Sequence, residues 1–314
     1  MSPMADRSDV CVLVPTLEEA GTIGDVVDGF RAAGFEHVLV VDGHSTDGTR
    51  DVARDHGARV ITQNGTGKGQ AVQEGLEHVD REYVLMVDGD GTYQPGDAAA
   101  MLEPLFEGRA EHVIGDRFAD MEAGAMTRLN RVGNRAINRL FTAVHGRDLQ
   151  DILSGYRAFT RASVERFQLD AEGFGIETEL AVECVRSGAR TEVVPVRYEE
   201  RPGGSETNLH PLKDGGRIVL TLYTLTKTNN PIFYFGSVAA VGLLAGVALG
   251  AYVAYDYVVN GISHEVIALL GVFVILLSMQ VFMFGVLSDI IVSVNREQTR
   301  RMEEVADRLR DVEE

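Results

Sequence analysis

Two carboxylates separated by a glycine follow a short apolar stretch in this sequence. The stretch at 83–87 ends directly before Asp88, Gly89 and Asp90. Carboxylate oxygens are hard ligands of the kind that Mg²⁺ and Mn²⁺ prefer, and such ions usually keep several waters and share the phosphates of a substrate. The glycine lets a diphosphate approach the backbone closely. The pattern therefore predicts a metal site, with Asp88 and Asp90 as ligands, that faces a diphosphate.

The acidic pair alone is weak evidence, because acidic turns are frequent in an acidic chain. An EF-hand loop starting at Asp88 is excluded, since its sixth and twelfth positions would be Tyr93 and Ala99 in place of Gly and Glu. The segment 65–69 superficially suggests a phosphate loop, but it lacks the Ser or Thr after the lysine and the first glycine at the required spacing. Lys68 remains a candidate contact of a diphosphate, with a plain loop lysine as the alternative.

The first hundred residues alternate short apolar stretches with helical patterns. We predict strands at 10–14, 37–41, 59–62 and 83–87, and helices at 22–33, 48–56 and 68–78. Continuous apolar strands are typical of a parallel sheet that is covered on both faces. In such α/β folds, ligands bind beyond the carboxyl ends of the strands. Pro15, Asp42 and Asp88 all fall at such ends, which favours one shared site at this edge.

The second part of the chain has a looser pattern. We predict strands at 113–116 and 191–196, and helices at 128–144 and 177–187. The helix at 128–144 carries four arginines. The glycine-rich polar stretch at 201–208 indicates a loop. The segment 209–230 mixes apolar and basic residues, which is typical of amphipathic segments at a membrane surface.

Two uncharged apolar stretches, 232–255 and 266–288, are each long enough to cross a bilayer, which takes about 20 residues. The linker 256–265 contains no Lys or Arg, whereas basic residues precede and follow the pair. The positive-inside rule then places both chain ends in the cytoplasm. We therefore predict a protein of the cell membrane with two spans and its large N-terminal domain in the cytoplasm. The predicted divisions are a large domain at 1–208, an interfacial segment at 209–230, two transmembrane helices at 231–294 and a cytoplasmic tail at 295–314.

Three glycines recur at every fourth position of the first span, at Gly242, Gly246 and Gly250. They form a small-residue face that allows close helix–helix approach in lipid. The alternative is that glycines are simply common in membrane helices.

The composition is strongly acidic, with 47 Asp and Glu against 29 Lys and Arg and a formal net charge of -18. This balance argues against nucleic acid as a partner and favours a protein solvated for high salt. The two cysteines, Cys11 and Cys184, fall inside a predicted strand and a predicted helix. We expect them to be small core residues in a reducing compartment.

Taken together, several motifs resemble one family. They lie at 15–19, 41–49, 67–69, 88–90 and 154–157. The set is similar to the family-2 glycosyltransferases of the polyprenyl- or dolichyl-phosphate hexose synthase type, and in particular to the haloarchaeal members that initiate S-layer N-glycosylation. The resemblance implies a GT-A fold, that is, an α/β Rossmann-like domain with a mostly parallel sheet, followed by a transmembrane helical hairpin.

The resemblance also implies roles for individual residues. The donor-binding residues would be Pro15, Leu17, Glu19, Asp42, Lys68, Asp88 and Gly89. The residues that carry the transfer would be Asp90, which ligates Mg²⁺ or Mn²⁺, and Arg117, Arg131 and Arg201, which bind phosphate groups. In this scheme Pro15, Leu17 and Glu19 line the base and ribose pocket, and Asp42 hydrogen-bonds the nucleoside.

The sequence departs from the family at three places. Thr92 stands where members often have a glutamine metal ligand, so that a water or the threonine hydroxyl would take its place. The acceptor loop at 205–209 lacks the lysine that members often have there. The chain contains no Trp, and so it lacks the Gln-x-x-Arg-Trp motif of processive polymerases. The last departure favours transfer of a single sugar.

The resemblance implies inverting transfer of one hexose, with UDP-glucose as donor and dolichyl phosphate in the lipid bilayer as acceptor. GDP-mannose is the alternative donor, and no residue decides between the two. Two other functions stay open. A sugar-nucleotide-forming nucleotidyltransferase has a similar sheet but needs no membrane hairpin, and a non-catalytic membrane scaffold would not need an intact acidic pair.

Overall fold

The computed structural model describes residues 6–169, 175–202, 223 and 230–313. The chain divides into two compact units, Met1–Leu222 and Tyr223–Glu314. The predicted interfacial segment at 209–230 lies outside the described residues, except for Tyr223 and Asn230. The predicted domain boundaries therefore stay predictions.

The first unit is built on a mixed sheet with the strand order β3-β2-β1-β4-β6-β5-β7. The strands are β1 (Val10–Thr16), β2 (His37–Asp42), β3 (Arg59–Thr62), β4 (Tyr83–Met86), β5 (His112–Met121), β6 (Arg157–Thr160) and β7 (Thr191–Tyr198). The helices are α1 (Ile23–Ala32), α2 (Thr49–Asp55), α3 (Lys68–Glu77), α4 (Ala98–Phe106), α5 (Arg128–His145), α6 (Arg161–Val164) and α7 (Ile176–Arg186). All pairings are parallel except those of β6, which runs antiparallel to both β4 and β5. The predicted α/β class with a mostly parallel sheet is confirmed.

Alternate residues of the strands pack into two separate cores, one on each face of the sheet. In β1, Val10, Val12 and Val14 pack with α1, α2 and α4, whereas Cys11 and Leu13 pack with α3 and α7. Burial on both faces explains why these strands are continuously apolar in the sequence. Both cysteines are buried and unpaired by disulfide, as predicted.

The parallel pairing brings several strand ends to one edge. Thr16 at the end of β1 is level with Asp42 at the end of β2, and Leu13 is level with Met86 at the end of β4. The amide of Val87 donates to the Leu13 carbonyl at 3.0 Å, which extends this pairing toward the acidic pair. The sheet therefore positions the loops after β1, β2 and β4 side by side.

β6 and α4 have no counterpart among the predicted elements. β6 is only four residues long and begins with the fully buried Arg157, so that its apolar signal is weak. α4 contains Pro104, which opposes a helix prediction. β6 matters for the site because it pairs directly with β4.

The second unit is a pair of long helices, α8 (Pro231–Asn260) and α9 (Glu265–Glu313). By length and composition alone, Pro231–Asn260 and Glu265–Asn295 are long and apolar enough to cross a membrane. Gly246 lies at the contact between the helices, since a Cβ atom there would come within 2.6 Å of the Ile275 side chain. A Cβ atom at Gly250 would meet nothing within 4 Å. A Cβ atom at Gly242 would likewise overlap the Ser278 side chain of α9, so the predicted close approach holds for Gly242 and Gly246.

Candidate functional site

The acidic pair lies in the turn that follows β4. Asp90 is only 6 % exposed. Its Oδ1 atom accepts hydrogen bonds from the Thr92 amide at 3.1 Å and from the Thr92 hydroxyl at 2.7 Å. Gly91 between them has a φ of +75°, in the left-handed region that favours glycine. Thr92 therefore fixes the orientation of the Asp90 carboxylate through two hydrogen bonds to Oδ1.

Each carboxylate of the pair contacts a cationic side chain. Arg201 donates from Nε and Nη2 to Asp90 Oδ2, at 3.0 and 2.7 Å. The Lys68 ammonium lies 2.5 Å from Asp88 Oδ1 and 2.5 Å from Glu177 Oε1. Although burial alone would lower it, the two carboxylates hold the pKa of Lys68 above its usual value, so that Lys68 stays protonated.

Glu177 is a member of this cluster that no sequence motif predicted. It lies in the first turn of α7 and is 5 % exposed. The sequence signal was a predicted helix with three glutamates, Glu177, Glu179 and Glu183, and the structure buries all three. Because a glutamate is almost never buried without a partner, a buried glutamate points to a nearby cation.

The site carries more negative charge than its own cations neutralise. Burial, followed by repulsion from Asp90, raises the pKa of Glu19 from 4.5 to about 7. The Thr22 hydroxyl oxygen lies 3.2 Å from the Glu19 carboxylate. Asp88 adds to the same repulsion. A divalent cation between the carboxylates would relieve this repulsion.

Asp88 and Asp90 fit Mg²⁺ or Mn²⁺ by the chemistry of their oxygen donors. Within the described part of the chain, no group of three or more His, Cys, Asp or Glu residues could hold a metal ion by itself. Two carboxylates leave coordination positions for water and for the phosphates of a substrate, as is usual for Mg²⁺.

The loops after β1 and β2 are joined by several hydrogen bonds. The amide of Glu18 donates to the Ser45 hydroxyl at 2.9 Å, and the Glu18 carboxylate accepts from the Thr46 amide at 2.8 Å. The amide of Glu19 donates to the Thr49 hydroxyl at 2.8 Å. These contacts explain the polar residues of both motifs, which fix the two loops against each other.

Asp42 lies at the bottom of these loops and is fully buried. Its Oδ2 atom accepts from the Ser45 amide at 3.0 Å and lies 3.5 Å from Arg50. Its Oδ1 atom is buried and has no hydrogen-bond partner among the described residues. A buried acceptor without a partner is costly, so this atom is a candidate to receive a donor from a ligand.

The remaining predicted donor residues follow the same edge. Pro15 is buried in β1, where it is level with Val41 of β2. Leu17 is 44 % exposed, and its side chain lies beside Gly43. The carbonyl of Gly89 accepts from the Thr22 hydroxyl at 2.8 Å, which joins the acidic turn to the start of α1.

The three predicted phosphate-binding arginines have three different surroundings. Arg117 is 8 % exposed and binds both carboxylate oxygens of Asp151, at 2.7 and 2.8 Å. Arg131 is partly exposed, and its Nη2 atom donates to the Met121 sulfur at 3.2 Å. Only Arg201 contacts the acidic pair directly. Burial opposes the charge of Arg117, but Asp151 more than compensates and holds its pKa well above the usual value.

The floor of the site depends on residues that the motifs only partly indicated. The buried Arg157 guanidinium donates to the carbonyls of Ile152, Ser154 and Glu177, at 2.7, 3.0 and 2.9 Å. It thereby ties the loop before β6 to the start of α7. A Cβ atom at Gly155 would overlap the Asp88 carboxylate. Absence of a side chain at this position is therefore what makes room for Asp88.

Comparison with known proteins gives consistent matches. Residues 11–167 match the model of the family described as glycosyl transferase family 2. The chain is 60 % identical over 297 residues to the glycosyltransferase AglJ of Haloferax volcanii, with 94 % of this chain and 98 % of that protein covered. It is 35 % identical over 212 residues to the dolichyl-phosphate hexose transferase of the same organism, with 67 % of this chain and 90 % of that protein covered.

Solved structures show the same fold. The glucosyl-3-phosphoglycerate synthase of Mycobacterium tuberculosis, in complex with Mn²⁺, UDP-glucose and phosphoglyceric acid, superposes with a TM-score of 0.56 at 23 % identity. The match covers 68 % of this chain and 78 % of that chain.

Proposed function

The chain belongs to glycosyltransferase family 2, and we propose that it transfers one hexose from a nucleotide sugar to dolichyl phosphate, with inversion at the anomeric carbon. Its fold is that of the GT-A enzymes. The acceptor is proposed from the 35 % identity to a protein named dolichyl-phosphate hexose transferase. The strongly acidic composition agrees with the source of both relatives, Haloferax volcanii.

One observation supports the proposal most directly. The two carboxylates at the tip of β4 each contact a cationic side chain, Asp88 with Lys68 and Asp90 with Arg201. A nucleotide sugar and a divalent cation together bring the same two kinds of charge, a diphosphate and a dication. We propose that binding of the donor and the cation breaks both ion pairs. Asp88 and Asp90 would then hold the cation, and Lys68 and Arg201 would contact phosphate oxygens.

The remaining roles follow from chemistry at named atoms. Asp42 Oδ1 would accept a hydrogen bond from the nucleoside. A bound Mg²⁺ or Mn²⁺, held by Asp88 and Asp90, would neutralise charge on the leaving diphosphate. Arg131 is proposed to bind the acceptor phosphate, because it is partly exposed and has no carboxylate partner among the described residues. Arginine suits this role because its planar fork matches phosphate oxygens.

The acceptor needs no general base. A phosphate monoester has a second pKa of about 6, so that it is largely a dianion at neutral pH. An oxygen of this dianion attacks the anomeric carbon, the bond from that carbon to the diphosphate oxygen breaks, and the nucleoside diphosphate leaves. An α-linked donor then gives a β-linked lipid phosphate sugar. Asp151 has no part in proton transfer here, because Arg117 engages both of its oxygens.

We propose UDP-glucose as the donor, with GDP-mannose as the alternative, and S-layer N-glycosylation as the process served. The spans at Pro231–Asn260 and Glu265–Asn295 would anchor the enzyme in the cell membrane, with the catalytic domain in the cytoplasm. Anchoring would hold the site at the level of the lipid headgroup, which favours reaction by proximity.

The test uses the full chain in membranes, labelled UDP-glucose or GDP-mannose, dolichyl phosphate, and Mg²⁺ or Mn²⁺. We expect label in the extracted lipid with UDP-glucose and a divalent cation, and none after chelation or without dolichyl phosphate. Lipid label with GDP-mannose and none with UDP-glucose would make GDP-mannose the donor. Absence of lipid label with every donor would leave the scaffold alternative, and release of diphosphate from a sugar phosphate and a nucleoside triphosphate would indicate a nucleotidyltransferase.

A further inference from the structure

The loop after β3 begins with a buried amide that has no partner. Gln63, the first residue after β3, is 2 % exposed. Its Oε1 and Nε2 atoms are both buried, and neither forms a hydrogen bond among the described residues. A buried donor and a buried acceptor without partners are costly, because folding has removed the water that bound them. A ligand that brings one acceptor and one donor would satisfy both atoms.

The backbone of this loop is fixed from two sides. The Glu74 carboxylate of α3 accepts hydrogen bonds from the Asn64 amide at 2.9 Å and from the Asn64 side chain at 3.0 Å. It also accepts from the Gln70 side chain at 2.8 Å. The backbone amide of Gln63 donates to the Asp42 carbonyl at 3.1 Å. The loop therefore holds Gln63 in place, although no described residue binds its side-chain amide.

Strand register places Gln63 beside the loops of the donor half. The last residues of β1, β2 and β3 are level with one another. The next position of each strand holds Leu17, Gly43 and Gln63. Because side chains alternate along a strand, these three positions lie on the face of the sheet that packs against α3. Gly43 leaves the middle position without a side chain, and Leu17, which is 44 % exposed, lies beside it. A flat ring against Leu17 would therefore present its edge to the Gln63 amide.

The other end of the same loop reaches the proposed contact of the diphosphate. Residues 63–67 join β3 to Lys68, the first residue of α3. The Lys68 ammonium lies 2.5 Å from Asp88 of the acidic pair. A nucleotide carries its base and its diphosphate at opposite ends of one ribose. One nucleotide would therefore meet Lys68 at the end of this loop and Gln63 at its start.

We infer that the Gln63 amide recognises the base of the donor at the edge where a keto oxygen lies next to a ring N–H, as in uracil and guanine. Nε2 donates to the keto oxygen, and Oε1 accepts from the ring N–H. An amide matches this edge because it carries a donor and an acceptor side by side. Both unpaired atoms of Gln63 then gain a partner in one contact. This inference rests on the proposed use of a nucleotide sugar and not on the proposed acceptor.

The test combines one substitution in the protein with one in the base. The full chain in detergent with Mn²⁺ is titrated with UDP and with UDP methylated at N3 of uracil, and so is Gln63→Met. The methyl group removes the ring N–H, whereas Met keeps the length of the side chain without its polar atoms. GDP and GDP methylated at N1 of guanine form a second arm, since guanine carries the same edge. Gln70→Met is the matched control, because the Gln70 amide already pairs with Glu74.

We expect the parent and the Gln70 variant to bind UDP at least about tenfold more tightly than methylated UDP, as two hydrogen bonds would give. Gln63→Met should weaken UDP binding by about tenfold and remove most of the difference between the two ligands. Without ligand, Gln63→Met should melt at or above the temperature of the parent, because it removes two unpaired buried atoms.

Methylation that costs the same affinity in the parent and in Gln63→Met overturns the inference. So does a melting temperature of Gln63→Met several degrees below that of the parent, since the amide would then support the fold. If the expected pattern appears with GDP and not with UDP, the inference holds and the proposed donor changes. A parent that binds neither nucleotide defeats both the inference and the proposed function. The expected pattern without label in the extracted lipid supports the inference and defeats only the proposed transfer.

Discussion

The donor half of the site and its arginine half are held in different ways. The donor half consists of the loops after β1, β2 and β4, which neighbouring parallel strands bring to one edge and which backbone amides join to nearby side chains. In the arginine half, Arg117, Arg131 and Arg201 contact a buried carboxylate, a thioether and a candidate metal ligand, respectively.

This difference shows what a chemical motif can predict. Strand order fixes where a strand ends, so residues at those ends share an edge whatever their neighbours are. An arginine side chain is long, so its partner depends on which residues the folded structure brings within its reach. The same residue type therefore forms a buried ion pair with Asp151 at position 117 and contacts the acidic pair at position 201.

The largest expected effect tests the buried ion pair of Arg117 and Asp151. Asp151→Asn removes the charge that compensates the buried Arg117, so we expect a loss of about 3–5 kcal/mol in the free energy of unfolding. Thermal unfolding in detergent measures it. Arg131→Gln is the matched control, because that side chain is partly exposed, and its stability should stay within about 0.5 kcal/mol of the parent. Equal stability of the two variants would remove the contrast between the two arginines.

The next effect tests the donor half. Asp90→Ala removes a proposed ligand of the cation, and we expect sugar transfer to fall by about a hundredfold to a thousandfold with the fold retained. The lipid-extraction assay measures transfer and circular dichroism checks the fold. Asp51→Ala is the control, since among the described residues this exposed carboxylate pairs only with Arg54. Near-normal transfer by the Asp90 variant contradicts the metal assignment.

A smaller effect tests how Lys68 is shared. Glu177→Gln removes one of its two carboxylate partners, so that Lys68 pairs more fully with Asp88 and competes with the cation. We expect Mn²⁺ affinity without nucleotide to fall by about tenfold, which corresponds to about 1.4 kcal/mol. Electron paramagnetic resonance of free Mn²⁺ measures it. Glu183→Gln on the same helix should leave the affinity unchanged, because Glu183 pairs with Arg186. Equal affinities of the two variants refute the shared lysine.

The smallest effect concerns pH. The pKa of Glu19 is raised to about 7 from 4.5, so the folded state holds a proton that the unfolded state has released between these values. Stability attributable to Glu19 is therefore present below pH 4.5 and is lost as the pH rises toward about 7. Glu19→Gln should therefore reduce the fall in melting temperature over this pH range by about 2–4 °C, the shift that about 1 kcal/mol produces in a domain of this size.

Melting curves from pH 4.5 to 8 give the comparison, with Glu36→Gln, an exposed glutamate, as the control. If the melting temperatures of the parent and of the Glu19 variant depend on pH with the same slope, the acidic pair does not raise the pKa of Glu19.

Much of the donor half was predictable from local pattern. The strands and helices up to residue 87 match the predicted segments to within a few residues. Asp42, Lys68, Asp88 and Asp90 follow from the alternation of strands and loops. The remainder depends on tertiary contacts that lie far apart in the chain, since Glu177 lies 109 residues after Lys68 and Arg201 lies 111 residues after Asp90. The charge of a side chain does not indicate which distant partner it meets.

Position 155 shows that volume alone can govern a charged site. Replacing Gly155 by Ala would alter no charge and no hydrogen-bonding group, yet the added methyl would occupy the space of the Asp88 carboxylate. Libraries of variants should therefore tolerate a side chain there only where the Asp88 carboxylate moves away from its present position. Variants designed to widen the donor pocket should therefore keep glycine at position 155.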